Sequence, residues 1–230
     1  MSVSTSPPTT APRPALSMVW YRALKPWHRL LMRSYFQVEI DGREYLPSGR
    51  AAVLAIKHVS KWDPLAIALL QPDPLYYIAR ADEFQGVQGW FMTRLGAFPV
   101  GRESAQAATI KATESILLAQ KTLAIFPEGK LVPDGVGEIK PGLGRIVTRF
   151  EAKYDCAIPV VPVAIAYDPA PKFRAKVTIA VRPPLFASEL CGLRVPGDAK
   201  DVSRQKEAAR VMTEAISSAL ISALDSLRAA

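Results

Sequence analysis

Apolar residues in this chain occur in short runs that are typical of strands, separated by longer stretches with helical spacing. Strands are predicted at residues 36–40, 51–57, 75–80, 97–100, 122–126, 157–166 and 176–181. Helices are predicted at residues 63–71, 85–95, 104–120 and 142–154, followed by a last helix whose apolar stripe runs from Ala208 to Leu227. Strands that alternate with helices indicate an α/β fold, so we expect a single domain with a mixed, partly parallel sheet flanked by helices.

The segment before the first strand has the pattern of an amphipathic helix. Within residues 16–36, Trp20 and Trp27 lie on an apolar side, and Pro26 is expected to kink or split the helix. The basic residues on the opposite side are Arg22, Lys25, Arg29 and Arg33. The pattern is typical either of a helix in a membrane interface or of one that packs its apolar side on the domain. Residues 1–15 are rich in Pro, Ser and Thr and are expected to form a disordered tail.

Positive charge is concentrated at the start of the chain. The 230 residues carry a net charge of +8, and the first 36 contain five basic residues and no acidic one. This imbalance predicts an anionic partner. An anionic membrane surface is favoured over nucleic acid, because tryptophans accompany the basic residues and no nucleic-acid-binding motif follows. No apolar run approaches the roughly 20 residues that a spanning helix needs, so no spanning helix is predicted.

Histidine and cysteine are too scarce to suggest a metal centre. The chain has two histidines and two cysteines, with no CxxC pair and no zinc-type cluster. We therefore expect no metal, and we expect Cys156 and Cys191 to be free thiols in a reducing cytoplasm. One histidine, His28, falls on the basic N-terminal segment, which leaves His58 as the candidate for histidine chemistry.

The stretch HVSKWD places His58 five residues before Asp63. Two side chains at this spacing on a helix would point about 140° apart, so they can meet only if a loop folds back between a strand end and the next helix. We expect Asp63 to be the N-cap of that helix and Pro64 its first residue. The Asp63 carboxylate would then hold the imidazole Nδ1–H and leave Nε2 to take a proton from a hydroxyl group. The alternatives are an ordinary polar histidine at a strand end and an aspartate that only caps the helix.

HVSKWD resembles the HxxxxD motif of the glycerolipid acyltransferases, a family that includes bacterial lysophosphatidate acyltransferase. Three further stretches resemble the later motifs of that family in the same order: ARADEFQGVQGWFMTRLGAFPVGR (79–102), FPEGK (126–130) and IPVVPVAI (158–165). The resemblance covers roughly residues 50–166 and implies that residues 37–230 form an acyltransferase domain.

The resemblance also implies a role for individual residues. His58 deprotonates the acceptor hydroxyl, which attacks the acyl thioester directly without an acyl-enzyme, and Asp63 orients His58. The residues implied to bind the acceptor and its phosphate are Arg80, Arg102, Glu128, Gly129, Lys130 and Lys140. In the family the third motif reads FPEGTRS, whereas this chain has FPEGKLV. Either Lys130 replaces the missing arginine as a point charge, or the acceptor differs from lysophosphatidate.

The sequence thus predicts an acyltransferase that moves a fatty acyl group from acyl-CoA or acyl carrier protein to the hydroxyl of a lysophospholipid. Lysophosphatidate is the favoured acceptor, and no cofactor is expected beyond the thioester co-substrate. The enzyme is expected to be peripheral, on the cytoplasmic face of a membrane. The remaining alternatives are transfer to another lipid acceptor, a thioesterase, and a non-catalytic module that binds membrane lipid.

Overall fold

A seven-stranded sheet forms the centre of the computed structural model, which describes residues 16–80, 84–100, 106–192 and 202–229. The strands are β1 (Gln37–Asp41), β2 (Ala52–Ile56), β3 (Leu75–Arg80), β4 (Ala97–Val100), β5 (Thr122–Ile125), β6 (Val160–Asp168) and β7 (Lys176–Val181). Their order across the sheet is β1-β7-β6-β2-β5-β3-β4. Neighbouring strands are parallel except for β6 and β7, which are antiparallel, so the predicted mixed, partly parallel sheet is confirmed.

Helices cover both faces of this sheet. They are α1 (Met18–Tyr35), α2 (Asp63–Ile67), α3 (Gly86–Arg94), α4 (Gln106–Leu118), α5 (Gly142–Tyr154), α6 (Ala187–Cys191) and α7 (Val202–Arg228). Successive residues of β2 alternate between two cores, because side chains of a strand point to opposite faces. Val53 and Ala55 pack with α4, α5 and α7, whereas Leu54 and Ile56 pack with α2 and the end of α1. All five residues of β2 are buried, which explains its continuous apolar run.

Element bounds differ from the predicted ones where the sequence carries little periodicity. Helix α2 ends at Ile67 rather than at Gln71. Its first residue is Asp63, with Trp62 in the N-cap position, so the predicted N-cap was one residue late. A 3₁₀ turn at Arg43–Tyr45 and helix α6 were not predicted, since both are too short to show a repeating pattern.

Helix α1 continues through Pro26, so of the two expected effects of this proline, a kink or a split, the split was wrong. Pro26 and Arg22 are both exposed, which lets water reach the Arg22 carbonyl that has no donor from the proline four residues later.

The face of α1 that packs on the domain is not the apolar one. Tyr21 Oη donates to the Asp73 carbonyl at 3.0 Å, and His28 Nε2 lies 2.9 Å from the Leu65 carbonyl oxygen. Lys25 Nζ donates to the carbonyls of Ala68 and Gln71 at 2.6 and 3.0 Å. Burial lowers the pKa of Lys25 to about 8. Lys25, one of the four residues on the predicted basic side, therefore docks the helix on the domain.

Most of the apolar side of α1 faces solvent. Five of its side chains, which we call the outer face, are half or more exposed: Val19 (80%), Trp20 (50%), Trp27 (69%), Leu30 (59%) and Leu31 (57%). Of the two interpretations open from the sequence, packing of this side on the domain holds only in part, where Trp20 contacts Trp90 of α3. None of the helices within the described ranges is long and apolar enough to cross a bilayer.

Candidate active site

Several chain segments converge at the carboxyl edge of the central strands. His58 lies two residues beyond the end of β2, and β2 runs parallel to β5 on one side and β6 on the other. Glu128 follows β5 by three residues, and Tyr167 lies near the end of β6. Parallel strands bring residues after their carboxyl ends to one edge of a sheet, where α/β proteins usually bind their ligands.

The loop between β2 and α2 folds back and brings the His58 imidazole against the Asp63 carboxylate. Nδ1 of His58 lies 2.9 Å from Oδ2 of Asp63. The same oxygen accepts the backbone N–H groups of Val59 and Ser60 at 2.7 and 2.8 Å, and Oδ1 accepts the Tyr167 hydroxyl at 2.9 Å. Asp63 is completely buried, so these four donors replace the water that its charge loses. The sequence predicted that this carboxylate would cap N–H groups inside the helix. It instead accepts N–H groups of the loop before the helix.

The His58 ring is held on one side and open on another. It stacks on Phe126 with ring centroids 4.2 Å apart and planes 29° from parallel. Its side chain remains 19% exposed. Within the described part of the chain, no hydrogen bond involves Nε2. With Asp63 on Nδ1, this arrangement leaves Nε2 available to a proton donor that approaches from solvent.

A buried ion pair fixes the backbone beside the histidine. Lys57 Nζ lies 3.0 Å from Oε1 and 3.2 Å from Oε2 of Glu128, and both side chains are fully buried. Glu128 Oε2 also accepts the His58 backbone N–H at 2.8 Å, and Oε1 accepts the Gly137 N–H at 2.7 Å. The Glu128 carboxylate is therefore surrounded by protein donors, so its contacts favour positioning of His58 over direct contact with a substrate.

The segment after Glu128 is tied to the same strand end. The Val132 N–H donates to the His58 carbonyl at 2.8 Å, and the Val132 carbonyl accepts Lys57 Nζ at 2.5 Å. Both contacts use the backbone of Val132. The departure from FPEGTRS at this position therefore leaves the anchoring of the loop intact.

The structure brings only some of the predicted binding residues together. Gly129 has a positive φ of 64°, and a Cβ at this position would lie 2.6 Å from Lys140 Nζ, so these two residues are neighbours. Lys130 and Lys140 are both exposed. Arg80 ends β3 at the same edge of the sheet, and its side chain is not described. Arg102 lies outside the described residues.

Three residues around the pair were missed by the sequence analysis. Lys57 could have been noticed, because a lysine that directly follows a buried apolar strand and precedes the histidine needs a partner. Phe126 begins the FPEGK stretch, but nothing local indicates its contact with His58, and Tyr167 carries no local signal. Their proximity to His58 and Asp63 depends on which strands lie beside β2.

Comparisons with known proteins place the chain in a family. The model of the family described as Acyltransferase matches residues 37–166, which contain His58, Asp63 and Glu128. The chain is similar to a 1-acyl-sn-glycerol-3-phosphate acyltransferase of Bacillus subtilis (strain 168), with 26% identity over 184 residues that cover 78% of this chain and 84% of the relative. A protein of the same name from Streptococcus pneumoniae (strain ATCC BAA-255 / R6) is 31% identical over 80 residues, which are 34% of this chain and 30% of that relative.

A solved structure shares the fold. The crystal structure of the 1-acyl-sn-glycerophosphate (LPA) acyltransferase PlsC from Thermotoga maritima matches with a TM-score of 0.63 and 18% sequence identity. The match covers 91% of this chain and 80% of that chain. At this identity the likeness shows a common architecture.

Proposed function

Since the chain belongs to the acyltransferase family, we propose that it transfers a fatty acyl group from a thioester, acyl-CoA or acyl carrier protein, to the hydroxyl of a lysophospholipid. Lysophosphatidate is the favoured acceptor and phosphatidate the product. The observation that carries the proposal is the 2.9 Å contact between His58 Nδ1 and a buried Asp63, with Nε2 left open. The names of the similar proteins agree with this acceptor.

The reaction needs a base and placement of two substrates. Nε2 of His58 takes the proton of the acceptor hydroxyl as its oxygen attacks the thioester carbonyl carbon. The tetrahedral intermediate collapses with cleavage of the carbon–sulfur bond, and the imidazolium returns the proton to the departing thiolate. The Asp63 carboxylate stabilises the imidazolium that forms in between. A thioester is already activated, so a positioned base, worth about 10²–10⁴ in rate, together with orientation can supply the catalysis.

Basic residues near the pair suit a phosphorylated acceptor. Lys140 lies over Gly129, next to the carboxylate network, and Arg80 ends its strand at the same edge. We propose these residues together with Arg102 and Lys130 as the phosphate-binding set, because phosphate recognition needs convergent cations. Gly129 contributes by the absence of a side chain, which leaves room for Lys140. Glu128 is proposed to position His58 rather than to touch the acceptor.

The outer face of α1 suits attachment to a membrane surface. Its exposed tryptophans and leucines would insert into the interface, and the exposed Arg22, Arg29 and Arg33 would face anionic head groups. The lipid acceptor is in the membrane and both candidate donors are cytoplasmic, so we propose a peripheral position on the cytoplasmic face.

An acceptor panel tests this function. The purified protein is given one labelled acyl thioester with lysophosphatidate, other lysophospholipids, a non-phosphorylated monoacylglycerol, or no acceptor, and the products are identified by mass. The proposal predicts diacyl product, with the highest rate for lysophosphatidate. The same panel run with acyl-CoA and with acyl carrier protein identifies the donor.

Other outcomes would replace the proposal in defined ways. Free fatty acid at the same rate with and without acceptor would indicate a thioesterase, in which water takes the place of the hydroxyl. Vesicle binding with no turnover on any acceptor would indicate a non-catalytic lipid-binding module. A preference for a non-phosphorylated acceptor would retain the reaction and remove lysophosphatidate as the substrate.

A further inference from the structure

Tyr167 is the one side chain outside the HVSKWD loop that bonds the Asp63 carboxylate within the described residues. Its hydroxyl donates to Oδ1 at 2.9 Å, whereas His58 Nδ1 and the two loop N–H groups all contact Oδ2. Oδ1 therefore relies on Tyr167. A buried charged oxygen that loses its donor is costly, since hydrogen bonds to charged groups are about twice as strong as neutral ones.

The position of Tyr167 is fixed by the sheet. Ile56, the last residue of β2, pairs with Val163 of β6, so β6 continues beyond β2 and carries Tyr167 to the edge where His58 lies. On its other side Tyr167 pairs with Val177 of β7. The hydroxyl is thus delivered by a regular paired strand rather than by a loop.

Aromatic packing fixes the ring of Tyr167. The ring meets Phe36, the residue that follows α1, edge to face with centroids 5.8 Å apart. Phe36 in turn contacts Trp62, which directly precedes Asp63, at 5.4 Å. Burial and the negative charge of Asp63 raise the pKa of Tyr167 far above its usual value, so the hydroxyl remains protonated and can only donate to the carboxylate.

We propose that Tyr167 is a positioning residue that sets the proton affinity of the His58–Asp63 pair through its hydrogen bond to Asp63 Oδ1. The inference rests on the proposed function, in which His58 is the base. The bond draws negative charge away from the carboxylate. Without it, Asp63 stabilises the protonated imidazole more strongly and holds the ring less firmly, so the pair would bind its proton more tightly and place the base less well.

The test is Tyr167→Phe, which removes one oxygen and keeps the ring. Its matched control is Tyr77→Phe. The Tyr77 hydroxyl donates at 3.1 Å to the carbonyl of Pro64, which lies in α2 next to Asp63, and it does not contact the Asp63 carboxylate. We expect Tyr167→Phe to lower kcat about 10- to 100-fold with little change in KM. The acid limb of its pH–rate profile should move to higher pH by about half a unit to one unit. Tyr77→Phe should lose stability and keep the wild-type profile.

A second readout needs no turnover. The chain has two histidines, so NMR of ¹³Cε1-labelled histidine gives two resonances, and a His28→Gln variant assigns them. The midpoint of the His58 titration should move upward in Tyr167→Phe and stay in place in Tyr77→Phe. An unchanged titration would overturn the inference, even if Tyr167→Phe were less stable, because a residue that only packs cannot move it. If the wild-type protein is inactive on every acceptor and Tyr167→Phe still moves the His58 titration, the proposed function is overturned. The hydrogen-bond role of Tyr167 is then retained.

Discussion

The edge of the sheet around His58 and the outer face of α1 differ in how far their side chains are buried and paired within the protein. At the edge, a buried carboxylate has four donors and a buried lysine lies against a buried glutamate. On the outer face, Trp27 and Leu30 are 69% and 59% exposed. In the first region, the buried charged groups have their partners within the chain. On the second, the large apolar side chains are half or more exposed, and one of them, Trp20, contacts Trp90 of α3 edge to face.

Under the proposed function, this difference separates catalysis at the edge of the sheet from membrane attachment at the outer face. The closed network holds the proposed base, His58, in one geometry, which is what a rate enhancement from positioning requires. Half or more of each side chain on the outer face remains exposed, so this apolar area is available for the proposed binding to a membrane. Changes at the edge should therefore reduce turnover or stability, and changes on the outer face should reduce membrane binding.

Of the changes at the two regions, Asp63→Asn at the edge of the sheet should have the largest effect on turnover. The amide keeps the size of the side chain and removes the charge that stabilises protonated His58, so we expect kcat to fall by about 10²–10⁴. Steady-state rates with saturating thioester measure it. Asp41→Asn is the matched control, since Asp41 forms an exposed pair with Arg182 far along the sheet at β1. Equal rates for wild type and Asp63→Asn would mean that the pair does not act as a base.

Lys57→Met should have the largest effect on stability. It leaves the Glu128 charge buried without its cation, which costs about 3–5 kcal/mol when a buried pair is broken. Urea unfolding of Lys57→Met, Glu128→Gln and the double variant measures the coupling. The double variant should lose less free energy of unfolding than the sum of the losses in the two single variants, by at least about 1 kcal/mol. The exposed pair in Asp41→Asn should change stability by less than about 1 kcal/mol. Additive losses in the double variant would contradict the ion pair.

Leu30→Ser with Leu31→Ser should affect attachment and leave the edge intact. Removing two exposed leucines from the outer face should weaken binding to anionic vesicles about tenfold or more. Co-sedimentation measures it, with turnover on a water-soluble short-chain acceptor as the check on the site. Ile221→Ser is the control, because Ile221 is 46% exposed on α7, in the other helix layer. Equal losses in both variants would show that exposed apolar area in general, and not this face, binds the vesicles.

Arg22→Gln should have the smallest effect. One exposed cation near an anionic bilayer is worth about 1 kcal/mol, so vesicle binding should weaken about fivefold at low salt. The loss should vanish on zwitterionic vesicles and shrink as salt is added. A loss that is independent of lipid charge would show that Arg22 acts through the packing of α1.

The sequence predicted those features of the fold and site that depend on local pattern. The central strands were visible because β2 is a continuous apolar run and β5 is apolar after Thr122. The back-folded loop was required because a helix cannot join His58 to Asp63. Tyr167 was not predictable in this way. It lies 104 residues from Asp63 along the chain, and the two meet only because β6 is the neighbour of β2.

The partners of charged groups were also hard to predict. Lys25 follows the basic pattern of the N-terminal segment, yet it donates to carbonyls of the domain, because the position of α1 depends on α2. Glu128 falls in a motif that implies substrate contact, whereas the structure surrounds it with Lys57 and backbone N–H groups. A one-dimensional pattern shows which residue types occur, and the fold decides which of them meet.

The turnover of His58→Ala tests the central claim most directly. Asp63 keeps three donors in this variant, so we expect the unfolding midpoint and vesicle binding to stay near those of the wild type. Diacyl product formed from one labelled thioester should fall at least about 10²-fold, whereas His28→Ala should retain most of its activity. Near-wild-type product formation by His58→Ala would contradict the account.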